Sequence, residues 1–128
     1  VVDFISVGTN DLSQYLFAAD RMNPSLGALL NPWQPGLIRT LERIASQSKA
    51  AGIYSSVCGE SASDPAFAVL LAGLGFDSVS ASRSQVDAVR SALAAVDRAQ
   101  AESLAKAVLA AKSAEDTKSA AVTALSAL

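Results

Sequence analysis

Three short apolar runs alternate with longer helical patterns in the first 95 residues, and this repeated order constrains the fold more than any other feature. The runs predicted as strands cover residues 3–7, 53–57 and 77–80. Each is followed by a segment whose apolar residues recur at helical spacing. Since strand–helix–strand units place consecutive strands in parallel, the order predicts an α/β fold with a parallel sheet.

Local signals delimit the predicted helices. The first is expected to start near Asp11, after a turn at residues 8–10, and the second covers residues 35–50 and stops at Gly52. Asp64 and Pro65 form a strong start signal for the third, and Gly73 and Gly75 are expected to end it. The residues predicted to face inward are Leu12, Tyr15, Leu16 and Ala19; Leu37, Ile38, Leu41, Ile44 and Ala45; Phe67, Leu70, Leu71 and Leu74; and Val86, Val89, Leu93 and Val96.

The residues after 96 differ from the rest because they show two helical patterns and no strand. One has Leu104, Ala107, Val108 and Ala111 on a face, and the other follows a cap at Ser113 and carries Val122 and Leu125. We therefore predict βα units in residues 1–96 and a helical extension packed on them in residues 97–128. Three βα units fit either a doubly wound sheet or the last part of a (βα)8 barrel. A complete barrel usually has ~250 residues, so a chain of 128 residues is about half of one.

Charge and composition exclude several functions. A formal net charge of -2 gives no basic surface for nucleic acid, and no apolar stretch of about 20 residues predicts a membrane span. The single cysteine favours a reducing, cytoplasmic setting, and the lack of histidine removes any Ser-His or Cys-His pair. Since the chain starts at Val1 within a strand pattern, we expect that it was cut from a longer protein.

Chemistry is expected where each predicted strand ends, because ligands of parallel α/β folds bind there. Asn10 follows the first strand, beside a helix N-terminus that favours an anion, and Asp11 supplies an oxygen ligand suited to Mg²⁺. Arg21 could fold back as a planar phosphate donor. Cys58 follows the second strand and could transfer a proton.

Each candidate has a simpler interpretation. Thr9, Asn10 and Asp11 could be helix caps, Arg21 could pair with Asp20 or Asp3 at the surface, and Cys58 could be a small buried hydrophobe. The remaining polar and aromatic residues are predicted to be structural: Glu60 as a cap or surface charge, Ser82 and Ser84 as caps, Trp33 as a loop anchor or interface contact, and Tyr15 and Tyr54 as packing residues.

The segment from residue 3 to residue 21 reads DFISVGTNDLSQYLFAADR and resembles a signature of the phosphoenolpyruvate-utilising enzymes. The later segments NPWQP, CGESASDP and LGFDSVSAS make the chain most similar to Enzyme I of the bacterial sugar phosphotransferase system. Pyruvate phosphate dikinase and phosphoenolpyruvate synthase share the first motif and are the alternative families within this group of enzymes. The resemblance implies the C-terminal portion, the last three βα units, of a (βα)8 TIM-type barrel.

The resemblance also implies roles for individual residues. Asp11 would bind Mg²⁺, Asn10 and Arg21 would hold the phosphoryl group, and Cys58 would protonate the methylene carbon as phosphoenolpyruvate becomes pyruvate. The partners implied are phosphoenolpyruvate, the histidine-containing phosphocarrier protein and a second copy of the parent enzyme. A second carboxylate ligand, further arginines and the phosphorylated histidine would lie outside this chain, so we predict that the 128 residues alone are inactive. A non-catalytic interaction module is the alternative of another class.

Overall fold

A computed structural model describes residues 2–126 of the chain and contains three strands and six α-helices within them. They follow the order β1 Phe4–Gly8, α1 Thr9–Phe17, α2 Pro35–Ala51, β2 Tyr54–Cys58, α3 Pro65–Leu74, β3 Ser78–Val79, α4 Val86–Ala94, α5 Arg98–Ala110 and α6 Ala114–Ser126. Short 3₁₀ turns at Pro24–Leu26 and Glu60–Ser63 lie in the loops after α1 and β2. The predicted α/β fold is confirmed.

The strands form one parallel sheet in the order β1-β2-β3. Phe4 is opposite Tyr54 at one end of the β1–β2 pair, and Gly8 is opposite Cys58 at the other. The predicted turn between β1 and α1 is wrong, because β1 runs to Gly8 and α1 begins at Thr9. The carboxyl ends of β1 and β2 therefore lie side by side, with α1 starting directly from the first of them.

The core lies between the sheet and the helices. Its largest fully buried side chains are Phe67, Leu37, Ile38, Leu41, Leu70, Leu71, Leu104, Val57, Val69 and Val108. Trp33 is buried and packs against Phe67 in a T-shaped pair with ring centroids 5.0 Å apart, so the prediction of a loop anchor is confirmed. Asp64 caps α3 through the backbone N–H groups of Ala66 and Phe67, as the sequence indicates.

The predicted inward face of α1 is right for Leu12, which packs against the core, and for Ala19 just beyond the helix, but it is wrong for Tyr15 and Leu16. Tyr15 is 87% exposed and Leu16 is 41% exposed, whereas Thr9 and Ser13 are buried. The two hydroxyl residues lie about one turn apart and line the same cleft as Ser61. Small polar side chains thus allow α1 to lie close to the loop after β2.

In the C-terminal helices the apolar pattern is only partly followed. Leu104 and Val108 are buried as predicted, but Ala107 is exposed and Val122 is 49% exposed. Thr117 and Ala121 are the buried residues of α6, and Leu125 packs against the core as predicted. The hydroxyl of Ser113 accepts the backbone N–H of Asp116, which confirms the predicted cap.

Gly73 does not end α3, contrary to the prediction. The helix continues to Leu74, and Gly75 terminates it with a φ of 101°. A Cβ on Gly73 would lie 2.1 Å from the carbonyl oxygen of Ala101 in α5. Gly73 therefore lies where the backbone of α5 is in close contact with α3.

One face of the sheet is not covered by helices in the described part of the chain. Phe4 and Tyr54, which are register partners, are 65% and 53% exposed on that face, whereas Ser55 and Val57 are buried on the other. Tyr54 was predicted to be a packing residue, and this is wrong because no side chain within residues 2–126 buries it. Parallel sheets are usually covered on both faces, so this face has the character of a surface that further chain would cover. Among the described helices none is long and apolar enough to cross a membrane.

Candidate functional site

The candidate residues from the sequence are gathered at the carboxyl edge of the sheet, but they do not all line one cleft. Asn10 and Arg21 share a cleft, whereas Asp11 lies on a neighbouring surface of α1 and Cys58 ends the adjacent strand. Gly8 and Cys58 are register partners at the ends of β1 and β2, which places the start of α1 beside the loop after β2. A Cβ on Gly59 would lie 3.6 Å from Oδ1 of Asn10. The structure thus brings residues separated by almost fifty positions into one site.

Asn10 and Asp11 do not act as helix caps. The N-cap position of α1 is Gly8, which has no side-chain cap, and both residues belong to the first turn of the helix. Their side chains are exposed. Thr9 does not cap either, because its hydroxyl donates to the carbonyl oxygen of Cys58 at 3.1 Å. The capping interpretation therefore fails, and the amide of Asn10 and the carboxylate of Asp11 remain accessible to a ligand.

Cys58 is only partly buried, which does not support its interpretation as a core hydrophobe. Its Sγ accepts a hydrogen bond from the hydroxyl of Ser6 at 3.8 Å, across the β1–β2 pair. Side chains alternate along a strand, so Cys58 shares the uncovered face with Tyr54 and Ser56. The thiol therefore lies at the end of that open face, beside the start of α1.

Arg21 and Asn10 line one cleft of about 410 Å³. The other lining residues are Thr9, Ser13, Met22, Leu30, Pro32, Glu60 and Ser61. Arg21 is exposed and forms no ion pair with Asp3 or Asp20 within residues 2–126, where the ion pairs join Arg90 to Asp87 and Arg98 to Glu102. Its guanidinium is therefore available to an anion in the cleft.

Gln14 connects two of the predicted residues and was not among the sequence candidates. Its Nε2 donates to Oδ1 of Asp11 at 3.4 Å, and its Oε1 accepts the backbone N–H of Arg21 at 3.1 Å. Arg21 thus returns toward α1, which confirms that this residue beyond the helix folds back. The spacing of three residues between Asp11 and Gln14 on a predicted helix was the signal for the first of these contacts.

Among the sequence candidates Asp11 is the one carboxylate, and Glu60 supplies a second carboxylate at the cleft that Asn10 lines. Within residues 2–126 no group of three His, Cys, Asp or Glu side chains is close enough to hold a metal ion. Asp11 uses Oδ1 for its contact with Gln14, and its side chain is exposed. One free carboxylate oxygen fits Mg²⁺, which takes one or two carboxylates together with substrate phosphate oxygens and water.

The other polar predictions have mixed outcomes. Glu60 is exposed and opens the 3₁₀ turn at the mouth of the cleft, so it is a surface charge beside the site. Ser82 and Ser84 do not cap α4, because the N-cap is Gln85 and it has no side-chain cap. The two serine hydroxyls instead contact each other at 3.4 Å. The loop after β3 therefore places backbone groups and small hydroxyl side chains near the site.

Gly59 is the residue whose replacement should disturb this site most. Its φ is 105°, and a Cβ would lie 2.6 Å from Oγ1 of Thr9. We expect Gly59→Ala to lower the free energy of unfolding by about 3 kcal/mol, from the left-handed backbone and the clash together. Urea unfolding measures the loss, and amide NMR shifts at Thr9 and Asn10 report the displacement.

Gly52→Ala is the matched control for this substitution. Gly52 also has a positive φ, of 66°, but no heavy atom lies within 4 Å of its Cβ position. We expect it to cost only the backbone strain, about 1 kcal/mol. Equal losses for the two variants would show that the contact between Gly59 and Thr9 is not tight.

Comparison with known proteins adds an independent observation. The family model described as "PEP-utilising enzyme, PEP-binding domain" matches residues 1–98. The chain is 46% identical over 125 residues to a phosphoenolpyruvate-protein phosphotransferase of Streptomyces coelicolor, in an alignment that covers 98% of the chain and 22% of that relative. It is 42% identical over 108 residues to a protein of the same name from Haloferax volcanii. That alignment covers 84% of the chain and 19% of the relative. It is 37% identical over 115 residues to multiphosphoryl transfer protein 1 of Escherichia coli. That alignment covers 90% of the chain and 14% of the relative. The chain thus spans about a fifth of the length of these relatives or less.

Proposed function

Because the chain belongs to the family of PEP-utilising enzymes through their PEP-binding domain, we propose that it forms part of an Enzyme I type phosphotransferase. The complete protein transfers the phosphoryl group of phosphoenolpyruvate to one of its own histidines and releases pyruvate. The phosphoryl group then passes to the histidine-containing phosphocarrier protein during sugar uptake. This chain contains no histidine, so its part is to bind phosphoenolpyruvate and promote its conversion.

The observation that carries this proposal is the convergence of two strand ends on one site. Asn10 and Asp11 follow β1, Cys58 ends β2, and Arg21 lines the same cleft as Asn10. An amide, a guanidinium and a carboxylate suit a phosphate with a divalent cation. A thiol beside them suits proton transfer to carbon. Capping and core packing explain none of these positions.

We also propose that residues 1–96 are the last three βα units of a (βα)8 barrel and that residues 97–128 are a helical extension. The support is the sheet itself, whose three parallel strands have helices on one face and an uncovered second face. In a barrel that face is the interior, filled by side chains from the other strands. Phe4 and Tyr54 would then be interior residues.

In the proposed reaction the residues of this chain act on charge and on one proton. Asn10 and Arg21 donate hydrogen bonds to the phosphoryl oxygens, and Asp11 holds Mg²⁺, which when bound neutralises charge on the transferring group. The bond between phosphorus and the enol oxygen breaks as a histidine nitrogen of the parent takes the phosphoryl group. The thiol of Cys58 then protonates the methylene carbon of the enolate, which yields pyruvate and a thiolate.

Assay of the complete protein encoded by the reading frame tests the proposal. We expect stoichiometric pyruvate release from phosphoenolpyruvate when phosphocarrier protein and Mg²⁺ are supplied, without any adenine nucleotide. A requirement for AMP or ATP would instead identify a dikinase or synthase. A complete protein that neither binds nor consumes phosphoenolpyruvate would leave only the interaction module. The parent is further proposed to be a cytoplasmic homodimer, which sedimentation and cell fractionation would examine.

Replacement of Asp11 tests the metal assignment. We expect Asp11→Asn in the complete protein to raise the Mg²⁺ concentration for half-maximal activity about tenfold or more, and to weaken phosphoenolpyruvate binding with it. The cause is the loss of a charged ligand with little change in volume. Asp87→Asn, which removes an exposed carboxylate from α4, is the control and should leave both values unchanged. An unaltered Mg²⁺ response in Asp11→Asn would remove Asp11 from the site.

A further inference from the structure

Two buried hydroxyls form a short chain of hydrogen bonds beneath the proposed site. The hydroxyl of Ser61 donates to Oγ1 of Thr9 at 2.6 Å, and the hydroxyl of Thr9 donates to the carbonyl oxygen of Cys58 at 3.1 Å. Thr9 is 2% exposed and Ser61 is 7% exposed. Hydrogen bonds in such buried positions are costly to break, because no water replaces the lost partner.

This hydrogen-bond chain connects the two segments that carry the candidate residues. Thr9 directly precedes Asn10 and Asp11, and the acceptor is the backbone of Cys58 itself. Within residues 2–126, the hydroxyl of Thr9 makes the side-chain hydrogen bonds that join residues 9–11 to residues 58–61, next to the last backbone pair of the sheet. The register pair of Gly8 and Cys58 is the last of the sheet before these segments diverge.

The surrounding backbone leaves little freedom for another arrangement. A Cβ on Gly59 would lie 2.6 Å from Oγ1 of Thr9, so the loop after β2 passes directly against this hydroxyl. Valine has nearly the shape of threonine but cannot donate. It would remove one hydrogen bond from the carbonyl of Cys58 and would leave the hydroxyl of Ser61 without its acceptor. The hydroxyl, rather than the bulk of the side chain, therefore holds the two segments together.

We propose that Thr9 is a positioning residue that sets the location of Cys58 relative to Asn10 and Asp11. Its hydroxyl holds the end of β2 against the start of α1, with Ser61 fixing the orientation of that hydroxyl. A substrate bound by Asn10, with its metal on Asp11, then has its methylene carbon held against the thiol of Cys58. This consequence for catalysis rests on the proposed function. The positioning of Cys58 by the hydroxyl of Thr9 does not depend on that function.

Alkylation of Cys58 by iodoacetamide tests the hold, because Cys58 is the single cysteine of the 128-residue chain. We expect Thr9→Val to speed alkylation about fivefold, and Thr9→Ser, which keeps the hydroxyl, to remain within about twofold of the unsubstituted chain. Thr117→Val is the matched control, since Thr117 is also fully buried and donates to a backbone carbonyl, that of Ser113 in the α6 cap. Circular dichroism identifies any variant that does not fold.

Two alkylation results would overturn the proposal. One is a rate in Thr9→Val within about twofold of the unsubstituted chain, and the other is an equal increase in Thr117→Val, which would indicate general loosening. If Thr9→Val does not fold, Ser61→Ala takes its place. It removes only the outer hydrogen bond and should raise the rate about threefold, and an unchanged rate would overturn the proposal in the same way.

Kinetics of the complete protein test the catalytic consequence. We expect Thr9→Val to lower kcat for pyruvate release about fivefold or more with KM for phosphoenolpyruvate little changed, and Thr9→Ser to restore kcat. A loss that Thr9→Ser does not repair, or an unchanged kcat, would contradict the positioning role. If the unsubstituted protein releases no pyruvate, the proposed function fails. The alkylation rates still decide whether Thr9 holds Cys58.

Discussion

Cys58→Ala in the complete protein should lower kcat for pyruvate formation by about 10²- to 10⁴-fold and leave phosphoenolpyruvate binding nearly unchanged. The reason is that a proton donor acts in the chemical step, whereas Asn10 and Arg21 hold the substrate in the ground state as well. Single-turnover pyruvate release gives the rate. Equilibrium titration with phosphoenolpyruvate gives the binding constant.

Ser56→Ala is the matched control for the cysteine variant. Ser56 precedes Cys58 by two positions on β2 and shares the same face of the sheet, where its hydroxyl donates to the carbonyl of Ile5 at 3.5 Å. It changes the same surface without removing the thiol, and kcat should stay within a few-fold of that of the unsubstituted protein. Equal losses of binding and turnover in Cys58→Ala would contradict the assignment of Cys58 as the acid.

Gly73→Ala should cause the largest loss of stability among simple substitutions in the fold. The added Cβ would lie 2.1 Å from the carbonyl oxygen of Ala101 and 2.6 Å from its carbonyl carbon. These are backbone atoms, so α3 and α5 must separate, and the free energy of unfolding should fall by about 3 kcal/mol or more. Urea unfolding followed by circular dichroism measures the change.

Gly36→Ala is the control for this variant, because Gly36 also lies in a helix. Its Cβ would be 3.3 Å from the ring of Phe17, a side chain that can move. We expect a change within about 1 kcal/mol, since alanine also favours the helix. A small loss for Gly73→Ala would show that α5 does not approach α3 as closely as the structure indicates.

The elements of the fold could largely be predicted from the sequence. The signals were local: a capping Asp64 before Pro65, a glycine at the end of α2, and apolar runs of strand length. The start of α1 could not be placed in this way. Its N-cap is Gly8, which gives no side-chain signal, and the residues that look like caps instead form its first turn.

Side-chain burial was harder to predict wherever polar residues make the contact. Periodicity placed Leu12, Tyr15, Leu16 and Ala19 on the inward face of α1. Leu12 and Ala19 do pack inward, but Tyr15 and Leu16 are exposed, and the buried residues within the helix are Thr9 and Ser13. A hydroxyl can replace an apolar group when a hydrogen-bond partner from elsewhere in the chain is present, as Cys58 and Ser61 are for Thr9. Such a partner is not visible from helical spacing.

The location of the candidate site could be predicted because parallel strands present their carboxyl ends at one edge. That rule placed Asn10, Asp11 and Cys58 together, and the structure brings the segments that carry them into contact. The rule does not reveal the connections between them. Ser61 and Thr9 are 52 positions apart, and only the folded chain shows that their hydroxyls meet.

The most direct test of the central claim is a crystal structure of the complete protein with phosphoenolpyruvate and Mg²⁺. The account predicts the phosphoryl oxygens on Asn10 and Arg21, the metal on a carboxylate oxygen of Asp11, and the Sγ of Cys58 within proton-transfer distance of the methylene carbon. Phosphoenolpyruvate bound elsewhere on the protein, or bound here with the methylene carbon turned away from Cys58, would contradict it.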